Sequence, residues 1–111
     1  LNGCYYSTHF SAEDTSPDAA EFVRRYRSRW NGETPGAFAA LGYDSVKVLV
    51  EAIRRAGTTD GPALRDALAS IKDFPGATGA TTINAQRDAT KPAAIIAIRD
   101  GKMGFLKSVA P

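Results

Sequence analysis

The sequence holds a single cysteine, Cys4, and a single histidine, His9, among 111 residues. One thiol excludes an internal disulfide and a cysteine-cluster metal site. One imidazole, with acids scattered across the chain, offers no familiar ligand spacing, so neither metal nor other cofactor is expected. No apolar run approaches the ~20 residues a membrane span requires. Charge of one sign is also missing: 14 Lys and Arg against 12 Asp and Glu leave a net charge of +2. The signs are interspersed and no basic tail is present. What the chain does have is a globular balance, 43% hydrophobic and 23% charged, which argues against global disorder. It starts at Leu1 with no signal peptide ahead, and reads as a processed product or a piece of a longer chain.

Apolar periodicity and breakers divide the chain. Gly3 to Phe10 is rich in aromatic and hydroxylated residues and predicts a strand. Ser16-Pro17-Asp18 announces a helix whose apolar stripe is Ala19, Phe22, Val23, Tyr26 and Trp30. Thr34-Pro35 is expected to open a second helix, with Thr34 as its cap and Gly57 as its stop. Its apolar positions are Phe38, Leu41, Val46, Leu49, Val50 and Ile53. Asp60-Gly61-Pro62 opens a third helix with Leu64, Leu68 and Ile71 on one face. Phe74 to Gly79 carries too many breakers to be helical, Ala80 to Ile83 reads as a short strand, and Asn84 to Pro92 as a loop. Ala93 to Val109 gives the clearest β pattern, with Asp100-Gly101 at the position of a hairpin turn. The expected string is strand, three helices, short strand, hairpin: an α/β chain, or α+β as an isolated piece.

Few residues offer chemistry. Ser7 and His9 share one face of the first strand, but neither an orienting acid nor a nucleophile-elbow motif accompanies them. No catalytic residue is assigned and no enzyme is expected. Gly76 to Ala80 is glycine-rich, yet no Lys-Ser/Thr pair follows, which argues against a phosphate cradle. Asn84 to Asp88 lacks the acidic spacing of a calcium loop. Arginines 24, 25, 27 and 29 beside Tyr26 and Trp30 invite a nucleic-acid reading. The aromatics fall on the same stripe as Phe22 and Val23, so they are expected inside, with the arginines on the solvated flank and no nucleic acid as partner. The remaining oddity is Gly42-Tyr43-Asp44 inside the second helix. Gly42 costs roughly 1 kcal/mol relative to alanine. It calls for close packing by a neighbour, or for a tight backbone approach beside a cleft that Tyr43 lines.

The order of these pieces resembles the C-terminal part of the branched-chain amino-acid type of periplasmic solute-binding protein, a type I receptor of ABC importers. The matching residues are Tyr5-Tyr6-Ser7-Thr8, the helix with Phe22-Val23-Arg24-Arg25-Tyr26, and Gly36-Ala37-Phe38 leading to Gly42-Tyr43-Asp44-Ser45. Ala63-Leu64-Arg65-Asp66-Ala67-Leu68 and the hairpin through Asp100-Gly101-Lys102 continue the match. After the short strand, where the family carries an aspartate-glycine pattern, Asn84, Arg87 and Asp88 stand instead, which blurs the register there.

The resemblance implies one partial domain over residues 1–111 of a two-lobed receptor. Residues 1–10 would be a hinge-crossing strand and 16–72 a three-helix segment of the first lobe. Residues 79–109 would be a strand and hairpin that include the third crossing. It further implies capture of a small solute, an amino acid or a related carboxylate or aromatic compound, outside the cytoplasm or in the periplasm, for a membrane permease. Tyr43 would line the ligand cleft, with Tyr6 and His9 as weaker ligand-binding candidates near the crossing. The alternative is an interaction module docking through the arginine and aromatic helix at 17–30. Members of the family are much longer than this chain. The helices' inner faces therefore lack strands to pack on, and a homodimer formed by exchange of the N-terminal strand or the C-terminal hairpin is expected.

Overall fold

Proline and glycine set most of the element boundaries. A computed structural model describes residues Leu1–Pro111. It contains β1 (Tyr5–Thr8), α1 (Pro17–Arg29), α2 (Ala37–Ala56), α3 (Gly61–Ala69), β2 (Phe74–Gly76), β3 (Gly79–Ile83), β4 (Ala89–Thr90), β5 (Ala93–Arg99) and β6 (Lys102–Val109). Pro17 and Pro62 occupy the first helical turns of α1 and α3, where a missing N–H costs nothing. Gly57 ends α2 in the left-handed conformation and its N–H returns to the Ile53 carbonyl. Helix α2 starts later than expected. Its N-cap is Gly36, not Thr34, and Pro35 is buried ahead of the first turn. The Thr34 hydroxyl instead accepts a hydrogen bond from Arg27.

The sheets are two three-stranded antiparallel units, in the orders β1-β5-β6 and β2-β3-β4. Asp100 and Gly101 both have positive φ, 51° and 74°, and turn β5 into β6 as the Asp-Gly pair predicts. A bulge between Ile95 and Ile96 interrupts that ladder, and the Phe105 N–H donates to the Glu13 carboxylate, 2.7 Å away. The segment read only as non-helical, 74–79, is a hairpin: β2 and β3 turn through Ala77-Thr78. The loop read at 84–92 contains the short β4. β1 and the C-terminal hairpin, the elements expected to exchange between copies, pair with each other inside one chain. The strand-exchanged dimer therefore has no support.

The core is small. Phe10, Ala19, Phe22, Val23, Ala40 and Ala77 form its cluster, with Ile71 the largest side chain fully enclosed. Only 18 residues are buried, and the radius of gyration, 15.8 Å, exceeds the roughly 13 Å of a compact chain this long. Two expectations about the core fail. Trp30 is 48% exposed because α1 ends at Arg29, and the stripe runs off the helix before reaching it. On α2 the buried residues are Ala40, Asp44, Val48 and Ala52, one per turn. Of the apolar positions read as the inner face, Leu41 and Ile53 are half-buried, whereas Phe38 at 87% and Val46 at 61% exposure point outward, with Leu49 and Val50 also open. Small residues let α2 approach its own chain closely, and the bulky stripe lies on the other side of the helix.

The buried face of α2 carries a carboxylate. Asp44, 5% exposed, accepts hydrogen bonds from the Ala77 N–H (2.7 Å), the Thr78 N–H (2.8 Å) and the Thr78 hydroxyl (2.6 Å). A buried carboxylate persists only when its lone pairs are satisfied in this way. Gly76 is required beside it, since a Cβ there would lie 2.6 Å from Asp44 Oδ2.

Replacing Asp44 by alanine strands two buried N–H groups and a hydroxyl, and should lower stability by roughly 3 kcal/mol or more in urea unfolding. Gly76→Ala should cost about 1–3 kcal/mol, because a carboxylate held by three bonds cannot yield to the added methyl. A midpoint unmoved in both variants would separate the hairpin from α2.

Candidate functional site

Aromatic side chains from the segment after β1, from α1 and from α2 meet around Phe22. Phe10 stacks edge-on to Phe22 at 5.6 Å between ring centroids, and Phe22 meets Tyr43 at 4.7 Å and Tyr26 at 5.9 Å. The helical stripe of α1 and the position of Tyr43 on α2 produce this arrangement. Tyr43 is half-buried, with the Lys47 ammonium 5.4 Å from its ring centroid. It thus borders the core on one side and solvent on the other. Its neighbour Gly42 is exposed, and a Cβ built there meets no atom within 4 Å. Neither close packing nor a tight backbone approach within this chain accounts for that glycine.

The other two expected residues lie elsewhere. Tyr6 is exposed on β1, where its hydroxyl donates to the Met103 sulfur at 3.3 Å. His9 follows β1 and lines a cleft of about 520 Å³ with Ser7, Thr8, Thr90 and Lys91. The cleft unites the sequence pair Ser7 and His9 with Lys91 from the distant β4–β5 connection, and hydroxyl and imidazole groups give it polar walls. Neither Tyr43 nor Tyr6 lines it. A larger depression, about 860 Å³, runs between α3 and the end of β3, and none of the three expected residues borders it.

Sequence reasoning missed the polar group that ties these regions together. Thr78 donates its hydroxyl proton to Asp44 and accepts a hydrogen bond from the Lys91 ammonium at 3.2 Å. Burial lowers the Lys91 pKa, with attraction from Asp44 opposing the shift. An aspartate inside an apolar helix and a glycine-rich turn were the available signals. Nothing in the sequence paired them across 34 positions.

The basic face of α1 is largely occupied by its own helix. Glu21 accepts from both Arg24 and Arg25, at 2.8 and 2.6 Å, and those bonds hold its carboxyl down to about 2. Arg29 lies over the Trp30 ring at 4.5 Å. Two of the four arginines thus share one carboxylate, and nothing favours a docking face on 17–30. Glu51 repeats the device on α2 with Arg54 and Arg55. No helix is long and apolar enough to cross a membrane.

Known proteins share this fold. A leucine-binding protein from Thermotoga maritima is 32% identical over 99% of the chain, with a TM-score of 0.83. The substrate-binding protein of a branched-chain amino acid transporter from Streptococcus pneumoniae, solved with isoleucine, is 35% identical over 96%, with a TM-score of 0.80. An ABC-transporter solute-binding protein from Rhodopseudomonas palustris, solved with 3,4-dihydroxybenzoic acid, is 25% identical over 98%, with a TM-score of 0.82. The chain spans less than a third of each, 31%, 30% and 31% of their lengths. A profile described as periplasmic binding protein matches residues 1–102. With nearly the whole chain matched in sequence and in fold, it belongs to the periplasmic binding protein family.

Proposed function

We propose that this chain is a segment of an extracytoplasmic receptor that captures a small carboxylic acid for an ABC importer. The observation that carries the reading is 35% identity over 96% of the chain to a protein solved with isoleucine. A relative at 25% identity holds an aromatic acid, so the solute class is an amino acid or an aromatic carboxylate. The solute would pass to a membrane permease without any bond being made or broken. Residues 1–10 and the strand from Ala93 would cross between two lobes, with 16–72 belonging to one of them. Tyr43 would present its open edge to the solute from that lobe, while its other side rests on Phe22. Tyr6 and His9 belong near the crossing. Apolar solute surface would be buried against aromatics while a few polar groups fix its orientation.

The outward face of α2 supports the same reading. Phe38, Val46, Leu49 and Val50 form an apolar stripe that no part of this chain covers, and Gly42 lies within it. The remaining length of a receptor would supply the cover, and a glycine there would admit a closely approaching element.

Native mass spectrometry of the full-length protein should reveal a co-purified amino acid or aromatic acid. Absence of binding to both classes in calorimetry would overturn the assignment. Tyr43→Ala should weaken solute binding by about 1–3 kcal/mol, for lost ring contact and a lost polar group, without unfolding the protein. Unchanged affinity would remove Tyr43 from the site. Gly42→Ala distinguishes covered from open. In the chain of 111 residues it should raise stability by up to about 1 kcal/mol. In the full-length protein it should lower stability by about 1–3 kcal/mol if an element closes on that face.

A further inference from the structure

The connection between β4 and β5 is fixed at two adjacent residues to the β2–β3 turn, which is itself bonded to α2. Lys91 donates to the Thr78 hydroxyl at 3.2 Å, and that hydroxyl donates to Asp44 on α2 at 2.6 Å. The hydroxyl has one proton and free lone pairs, so it can serve carboxylate and ammonium together only in this polarity. Next to it, Pro92 lies against Gly79. A Cβ at Gly79 would stand 2.8 Å from the Pro92 ring, and Gly79 has φ of 102°. The seat exists because that position is a glycine. The β2–β3 turn is therefore held on one side by α2 and holds the chain entering β5 on the other. Downstream of Pro92 the character changes: β5 lies between β1 and β6 in a separate sheet.

We propose that Lys91, acting through Thr78 and Asp44, is a positioning residue that fixes where β5 leaves the helical lobe. Movement between lobes then pivots at Ala93 and beyond, not in the loop at 84–92. The role in solute binding rests on the reading of β5 as a crossing strand. The clamp itself does not.

A bare structural contribution and a positioning one differ in what the hydroxyl does. Thr78→Val keeps the shape and removes both hydrogen bonds of the side chain, while Thr78→Ser keeps both. Lys91→Met keeps the stem and removes the donor. Hydrogen exchange of the full-length protein should show amides at 89–94 (Pro92 has none) exchanging about tenfold faster in Thr78→Val and Lys91→Met. Amides of Val48 to Ala52 on α2 should stay as in the parent, and Thr78→Ser should restore the parent pattern. Solute affinity, measured by calorimetry with leucine, isoleucine and 3,4-dihydroxybenzoate, should fall several-fold in the first two variants, because a looser pivot lowers the fraction of closing-competent molecules.

Unchanged exchange at 89–94 in both variants overturns the clamp. So does equal loosening of α2 with no rescue by serine, which would mean lost packing only. Faster exchange with unchanged affinity overturns the positioning role. A parent protein that binds none of these solutes refutes the proposed function instead, and the exchange comparison still decides the clamp.

Discussion

The Asp44 carboxylate sets the relation between helices and strands in this molecule. It sits on the side of α2 that faces its own chain, and it accepts two backbone N–H groups and one hydroxyl from a turn more than thirty residues away. Each of those donors would otherwise be buried without a partner. The turn cannot slide along α2, because the bonds converge on one pair of oxygens and Gly76 leaves room for them only there. From that fixed turn follow the β2–β3 hairpin, the seat for Pro92 and the point at which β5 begins. A hydrophobic contact of similar area would hold the pieces together but would not fix their register as a directional set of bonds does.

How much of this was legible in the sequence depends on distance along the chain. The Asp100-Gly101 turn, the strands it joins, the Pro17 and Pro62 helix starts and the Gly57 stop are local, and local chemistry decides them. Breakers at Phe74 to Gly79 excluded a helix, but a three-residue strand beside a proline carries no periodicity to reveal it. The inner face of α2 was misread for a physical reason. Periodicity marks which residues want burial, not which partner buries them. Two alanines, Ala40 and Ala52, and one aspartate leave Val48 as the only large apolar residue of the buried face, a weaker pattern than Phe38, Val46, Leu49 and Val50. In this chain the weaker stripe is the one that finds a partner. Of the expected site residues, Tyr43 is half-buried against the core, Tyr6 is exposed on β1 and His9 borders a polar cleft that neither tyrosine lines. The order of elements also sufficed for the family, because collinearity constrains more than any single motif.

The exposed stripe of α2 leaves apolar surface without a partner in this chain. Each large apolar side chain gains about 1.5–3 kcal/mol from burial, so four left open on one helix represent a substantial unrealised stabilisation. The chain corresponds to less than a third of its relatives' length. Both strands expected to exchange are already paired, so covering α2 by a second copy would require a different surface from the sheet edges.

Lys91 adds an argument from cost. Its ammonium is partly withdrawn from water, and burial depresses its pKa despite the attraction of Asp44. A lysine whose pKa falls on folding binds fewer protons in the folded state than in the unfolded one. Its contribution is therefore unfavourable below the depressed value and is relieved only as pH rises toward the unfolded range near 10.4. At neutral pH the charge opposes folding through its own desolvation, and the hydrogen bond to Thr78 offsets part of that. An apolar side chain of similar length would avoid the penalty and still fill the space. What it could not do is find one hydroxyl and hold the backbone at that point. Direction, which a charge-assisted hydrogen bond has and a methylene contact lacks, fixes the chain at the point where it leaves the β2-β3-β4 sheet for the β1-β5-β6 sheet.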